Sequence, residues 1–397
     1  MAPTVLLHLP VLLALLMSPA APQTISPAVE DLIRKNADFG AQLYRAVASR
    51  TDDNIFLSPF AVSAGMLALL GGTSGPTQNQ LIQGLGLTGL EPQTLPDVFQ
   101  NLRNAVLQTT PPLNLLQGFA IFPDQSFQVP VSFQDLLQMK YGGKAQSLPY
   151  TNSAEALDII SRWVQEQSND QIKDVLTNLE DQTKLLVVSA ASYKIRFNPP
   201  FNSSLTQSER FYVDKYHVIM VPMMFQADKY FLAYDRGVKA GVLKLPLADG
   251  AAMLVVLPDE DVDVTAVEEE VTAAKIRAWI AQLRKTKLEV QLPVFLLEQT
   301  YSLKNMLQRL EITQVFQDDA DLSNMGGASG TKLTEVYHMA AVSMDESSGD
   351  GSSEGGVTTF SSPPPRLTFN RPFIFIIYQQ STNSLLFMGR VTNPTEK

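Results

Sequence analysis

Cysteine is absent from all 397 residues, histidine occurs three times and tryptophan twice. Without cysteine there is no disulfide framework, no thiol nucleophile and no thiolate metal site. A chain this long can stand on its core alone. The histidines are His8, His217 and His338. HExxH, P-loop and dinucleotide fingerprints are missing, and no serine sits in a nucleophile elbow. A Ser-His-Asp hydrolase would have to use His217 or His338, and His217 reads as a surface or partly buried strand residue. We therefore expect no enzyme, no cofactor and no metal. Acidic pairs such as Asp318-Asp319, the run Asp259-Glu260-Asp261 and the triplet Glu268-Glu269-Glu270 read as solvated turns and a solvated helix face. Charge of one sign is not concentrated either: 40 acidic and 30 basic residues give a net −10. Lys and Arg are scattered, so neither nucleic acid, an anionic membrane nor a heparin-type polyanion is expected.

Long apolar runs are also missing. The longest, Val5 to Met17, is too short to span a bilayer and contains Pro10. Small residues follow it, Ser18-Pro19-Ala20-Ala21-Pro22. This is the pattern of a secretory signal peptide over residues 1–20, cleaved after Ala20, although Lys and Arg are absent from its start. The expectation is a secreted, extracellular, monomeric glycoprotein, with Asn202-Ser203-Ser204 as the N-glycosylation sequon.

Apolar spacing predicts helices over Val29–Ala48 and Ala154–Gln167, and an apolar-all-round, fully buried helix over Ala61–Leu70. Leu185–Tyr193 reads as a strand buried on both faces. Strands are also predicted at Asn54–Pro59, Val218–Met224 and Met253–Leu257, with half-buried ones around Leu243/Leu245 and Leu288/Val290/Leu292. Helices dominate the first half and strands the second, so the class is α+β. No linker interrupts Pro27 to Ser343, which favours one domain over residues 24–397. After the acidic pair Asp345-Glu346 comes a Gly/Ser/Pro tract, Ser347 to Pro365. It is trapped before two apolar strand-like runs, Phe373–Tyr378 and Leu385–Val391. Such a long structureless loop inside a compact domain is usually functional or disordered.

Several ordered phrases resemble the serpin family across nearly the whole mature chain. They are Asn54-Ile55-Phe56-Leu57-Ser58-Pro59, Phe211-Tyr212-Val213-Asp214 with Val221-Pro222-Met223-Met224, and Leu257-Pro258-Asp259-Glu260. Further along are Ala320-Asp321-Leu322-Ser323, Phe369-Asn370-Arg371-Pro372-Phe373 and Leu386-Phe387-Met388-Gly389-Arg390-Val391. The chain is most similar to vertebrate plasma members of the antitrypsin and protein Z-dependent protease inhibitor group. Trp163-Val164-Gln165-Glu166-Gln167 is similar to pigment epithelium-derived factor, a non-inhibitory member.

The resemblance implies a fold of three β-sheets and about nine helices with an exposed reactive-centre loop near 347–365. It implies a suicide-substrate inhibitor of an extracellular serine protease: the cleaved loop inserts into the central sheet and traps the acylated enzyme. Glu346 would anchor the hinge. Gly349, Gly351, Ser353 and Gly355 would face inward on insertion, and all are small. The family hinge favours alanines, and these glycines order poorly as strand. That departure keeps open a non-inhibitory role in signalling, matrix or ligand binding. The scissile bond lies after Ser361 counted from one end and after Ser362 counted from the other. Phe360 is the chemically favoured recognition residue, with Ser361 on the leaving side, which suits a chymotrypsin- or elastase-like protease. Beneath the opening sheet, the resemblance places Ser58, Ser189, Phe197 and His338. Phe197 stands where the family has Trp and Ser189 where it has Asn. Ala61 stands for a serine, and Val294 for the lysine that would pair with Glu346.

Overall fold

The computed structural model describes residues 25–173, 175–179, 182–346 and 362–397. In chain order the first half contains α1 (Pro27–Ala48), β1 (Ile55–Leu57), α2 (Pro59–Gly71), α3 (Gly75–Gly84), α4 (Leu95–Leu107), β2 (Leu115–Pro123), α5 (Val131–Leu136), β3 (Lys144–Ala145) and α6 (Ser153–Ser168). Strands take over with β4 (Leu185–Ile195), β5 (Gln207–Tyr212), β6 (Val218–Asp235), β7 (Ala240–Pro246) and β8 (Ala251–Pro258). Then come α7 (Val264–Glu269), α8 (Ala273–Gln282), β9 (Arg284–Pro293), β10 (Phe295–Ser302), α9 (Lys304–Arg309), β11 (Glu335–Met344), β12 (Arg366–Thr368), β13 (Phe373–Gln379) and β14 (Ser384–Val391). Nine α-helices thus stand among the described residues.

Local chemistry explains the helix starts. Ser26 caps α1 through Val29 N, and Ser58 caps α2 through Ala61 N at 3.1 Å, each followed by a proline in the first turn. Val62, Met66 and Leu69 are buried along with almost every other residue of α2, because the helix packs against β2, β4 and β14 at once. That explains its lack of a polar face.

A five-stranded sheet runs β10-β11-β4-β2-β3. A nine-stranded path runs β1-β14-β13-β8-β7-β6-β9-β12, with β5 beside β6. The second and third expected sheets share one ladder because β6 is 18 residues long and pairs in turn with β5, β9 and β7. The five-stranded sheet is covered on both faces, by α2 on one and α6 on the other. Trp163 of α6 meets Phe122 of β2 edge-on at 5.7 Å, with Ile160, Val164, Leu186 and Met339 around them. A sheet covered twice needs apolar side chains in both directions, hence the unbroken run in β4. Gly118 keeps α6 close, since a Cβ there would strike the Gln167 side chain.

One expectation is corrected. Glu268, read as part of a solvated helix face, is buried. It takes the Tyr44 hydroxyl proton donor on one oxygen and pairs with Arg390 Nη1 at 2.6 Å on the other. Arg390 is fully buried and also donates to the carbonyls of Thr51 and Asp53. Burial pushes the Glu268 carboxyl up, while Arg390 and Tyr44 pull it back. A carboxylate under β14 is tolerated here because every oxygen is paired.

Candidate functional site

The site is a seam in the five-stranded sheet and the two ends of the long loop. β11 and β4 pair in parallel over ten positions, from Glu335 opposite Leu186 to Met344 opposite Ile195. Their other neighbours, β10 and β2, are antiparallel to them. The chain leaves β11 at Met344. Two residues on, the Glu346 carboxylate accepts from the Thr206 hydroxyl just before β5. This is the partner that Val294 does not provide; Val294 instead bonds through its backbone to Pro222 O at 2.9 Å.

The chain is described again from Ser362, which is exposed. It is pinned at β12, where Arg366 pairs with Glu289 at 2.7 Å and stacks its guanidinium 5.6 Å from the Phe225 ring. Phe369 then enters the core edge-on to Phe373. Gly349, Gly351, Ser353, Gly355, Phe360 and Ser361 lie outside the described residues. A strand entering between β11 and β4 antiparallel to both would replace the parallel seam with two antiparallel ladders, the slightly more stable pairing.

Ser58, Ser189 and His338 meet beneath that seam. His338 Nε2 accepts from Ser58 N at 2.8 Å, so the neutral ring carries its proton on Nδ1, 2.8 Å from Ser189 Oγ. Ser58 Oγ donates to Leu386 O at 2.9 Å. The cluster thereby ties β11, β4, α2 and β14 at one point. Ser189 and His338 have the spacing of a nucleophile and its base, yet they cannot act as such. Both are buried, and burial holds the imidazole pKa down to about 3. Neither water nor a carbonyl can approach, and the second ring nitrogen already faces a backbone N–H.

Phe197 packs edge-on to Phe201 at 4.9 Å and bridges to Leu247, filling an apolar site near the end of β4. Asn202 lies two residues before Ser204, whose N–H and hydroxyl both donate to its side-chain oxygen. His217 is exposed in the turn between β5 and β6, 2.6 Å from Asp214. No group of three or more His, Asp or Glu able to hold a metal occurs among the described residues, and no helix among them is long and apolar enough to cross a membrane.

Sequence reasoning assigned no site role to Thr206 or Tyr301. Thr206 lies 140 residues from Glu346 and carries no motif. Tyr301 stacks on His338 with its ring centroid 6.4 Å away, and its hydroxyl accepts from Phe56 N.

The profile of the family described as Serpin (serine protease inhibitor) matches residues 34–394. Human protein Z-dependent protease inhibitor is 31% identical over 92% of this chain and 83% of its own. Human plasma serine protease inhibitor is 31% identical over 94% of both chains. Among solved structures, mouse protein Z-dependent protease inhibitor superposes with a TM-score of 0.85 at 30% identity, covering 92% of this chain and 98% of the other. Human thyroxine-binding globulin, in complex with thyroxine, superposes at 0.84 with 26% identity, covering 92% and 99%. A family profile over most of its length and a matching α+β fold together make the chain a member of the serpin family.

Proposed function

We propose that this chain, taken as a leader (1–20) and one domain (24–397), is secreted and inhibits a chymotrypsin- or elastase-like serine protease as a suicide substrate. The observation that carries the reading is the parallel seam between β11 and β4, with the loop leaving from the end of β11. The protease attacks the bond next to Phe360 or Ser361, with Ser362 as the alternative, and forms an acyl-enzyme. The severed loop then turns back at the hinge and enters the seam with Gly349, Gly351, Ser353 and Gly355 inward. Glu346 must leave Thr206 for this to happen. The Ser58–Ser189–His338 cluster must slide apart, and the strained enzyme is carried with its acyl bond intact. Insertion converts a metastable sheet into a more stable one.

A second reading is favoured by the glycine-rich hinge, which slows strand ordering. On that reading the loop is a cleavable tether and the fold serves binding or signalling, as thyroxine-binding globulin in its thyroxine complex illustrates. Thermal unfolding before and after loop cleavage separates the two. Inhibition predicts a large rise in unfolding temperature on cleavage; an unchanged temperature overturns it.

A further inference from the structure

Tyr193 stands two residues before the end of β4, opposite Val342 across the seam and opposite Leu115 of β2 on the other side. Its side chain is fully buried, tilted against Phe387 of β14 with ring centroids 5.5 Å apart. The Tyr193 hydroxyl donates to Asp249 Oδ2 at 2.6 Å. Asn114 N, just before β2 begins, donates to the same oxygen at 2.8 Å. Ala251 N donates to Asp249 Oδ1 at 3.2 Å. Asp249 is buried, and a buried carboxylate is tolerated where its oxygens are paired. Two of its three partners here belong to the five-stranded sheet or its approach. Asp249 itself belongs to the other sheet, in the turn between β7 and β8. Gln380, just after β13, holds that turn through the carbonyls of Gly250 and Ala251. Ala248 N of the turn donates to Arg196 O at 2.8 Å, just past the end of β4.

Admitting a strand between β11 and β4 parts the two halves of the five-stranded sheet by one strand spacing, about 4.8 Å. The β10–β11 half is tied to the nine-stranded sheet. Phe56 N of β1 donates to the Tyr301 hydroxyl of β10, and Ser58 N donates to His338 of β11. The β4–β2–β3 half is therefore the one that shifts relative to β7 and β8. Hydrogen bonds of 2.6 and 2.8 Å to Asp249 cannot survive a shift of that size. We infer that Asp249 latches the mouth of the seam, a positioning residue that sets how readily β4 and β2 move away together. It acts where the chain leaves β11, since Ile195 at the end of β4 faces Met344. Ser189 lies four residues further down β4, about 13 Å along the strand. The longer the seam stays shut, the longer an acyl-enzyme waits exposed to water. Latch strength thus sets the partition between trapped complex and cleaved protein. That consequence rests on the inhibitory reading above; the latch itself does not.

The test is amide hydrogen exchange of the intact native protein beside Tyr193→Phe, which keeps the ring against Phe387 and removes the hydroxyl. Amides at the start of β2 and the end of β4 should exchange about tenfold faster, because a hydrogen bond to a charged group is lost. Those of β8 and β13 should keep their rates. Tyr230→Phe is the control. It deletes another buried hydroxyl, bonded to Gln226 Oε1 at 2.7 Å within β6, and should leave β2 and β4 at parental rates. Mixed with chymotrypsin and with elastase, Tyr193→Phe should be cleaved at the parental rate yet give a larger trapped fraction. Unchanged exchange in Tyr193→Phe, acceleration spread evenly over both sheets, or equal acceleration in Tyr230→Phe would overturn the latch. An unchanged trapped fraction, from a parent that does trap, would overturn its control of insertion. A parent that traps neither protease removes the inhibitory reading instead, and the exchange result still decides the latch.

Discussion

Protonation of His338 should unlock the fold. The folded chain holds this imidazole neutral, with its pKa lowered by burial from 6.5 to about 3. The unfolded chain takes up the proton near 6.5. Between those values the unfolded state binds more protons, so stability is full above about pH 6.5 and falls as pH drops toward 3. The same linkage sets the size at about 2 kcal/mol lost by pH 5 and about 3 kcal/mol by pH 4. Urea unfolding across pH 8 to 4 measures this directly. His338→Gln lacks the titrating group, so its curve should be flatter than the parent's between pH 7 and 5, whatever its absolute stability. Carboxylates titrate in both proteins and cancel in the comparison. Parallel curves for the parent and His338→Gln would refute the reasoning.

Three further outcomes follow from named contacts. Glu268→Ala strands the fully buried Arg390 guanidinium and should cost about 3–5 kcal/mol in chemical denaturation, with Glu268→Gln milder. Trp163→Ala removes the edge-on contact of α6 with Phe122 and should cost about 3–5 kcal/mol by the same assay. Thr206→Val frees Glu346 and, on the inhibitory reading, should shift the gel-measured partition from cleaved protein toward trapped complex; an unchanged partition removes Thr206 from the hinge.

How much was legible depends on whether the signal is local. The all-apolar α2 and the unbroken β4 announce burial from every side, and the structure buries them as expected. Helix caps at Ser26 and Ser58 are equally local. Glu268 was misread because its partner Arg390 lies 122 residues away, and three consecutive glutamates look solvated in sequence. Thr206 was missed for the same reason. Ser58, Ser189 and His338 were named from the family resemblance, and the structure brings all three together. Phe197 lies apart from them, packed on Phe201.

The central claim is that cleavage drives the loop into the β11–β4 seam before the acyl-enzyme hydrolyses. The most direct measurement mixes the purified protein with chymotrypsin and with elastase, resolves the products on a denaturing gel and weighs the released C-terminal peptide. The account predicts a covalent serpin–protease band and a peptide beginning at Ser361. Complete cleavage with no such band for either protease, at any ratio, would contradict it.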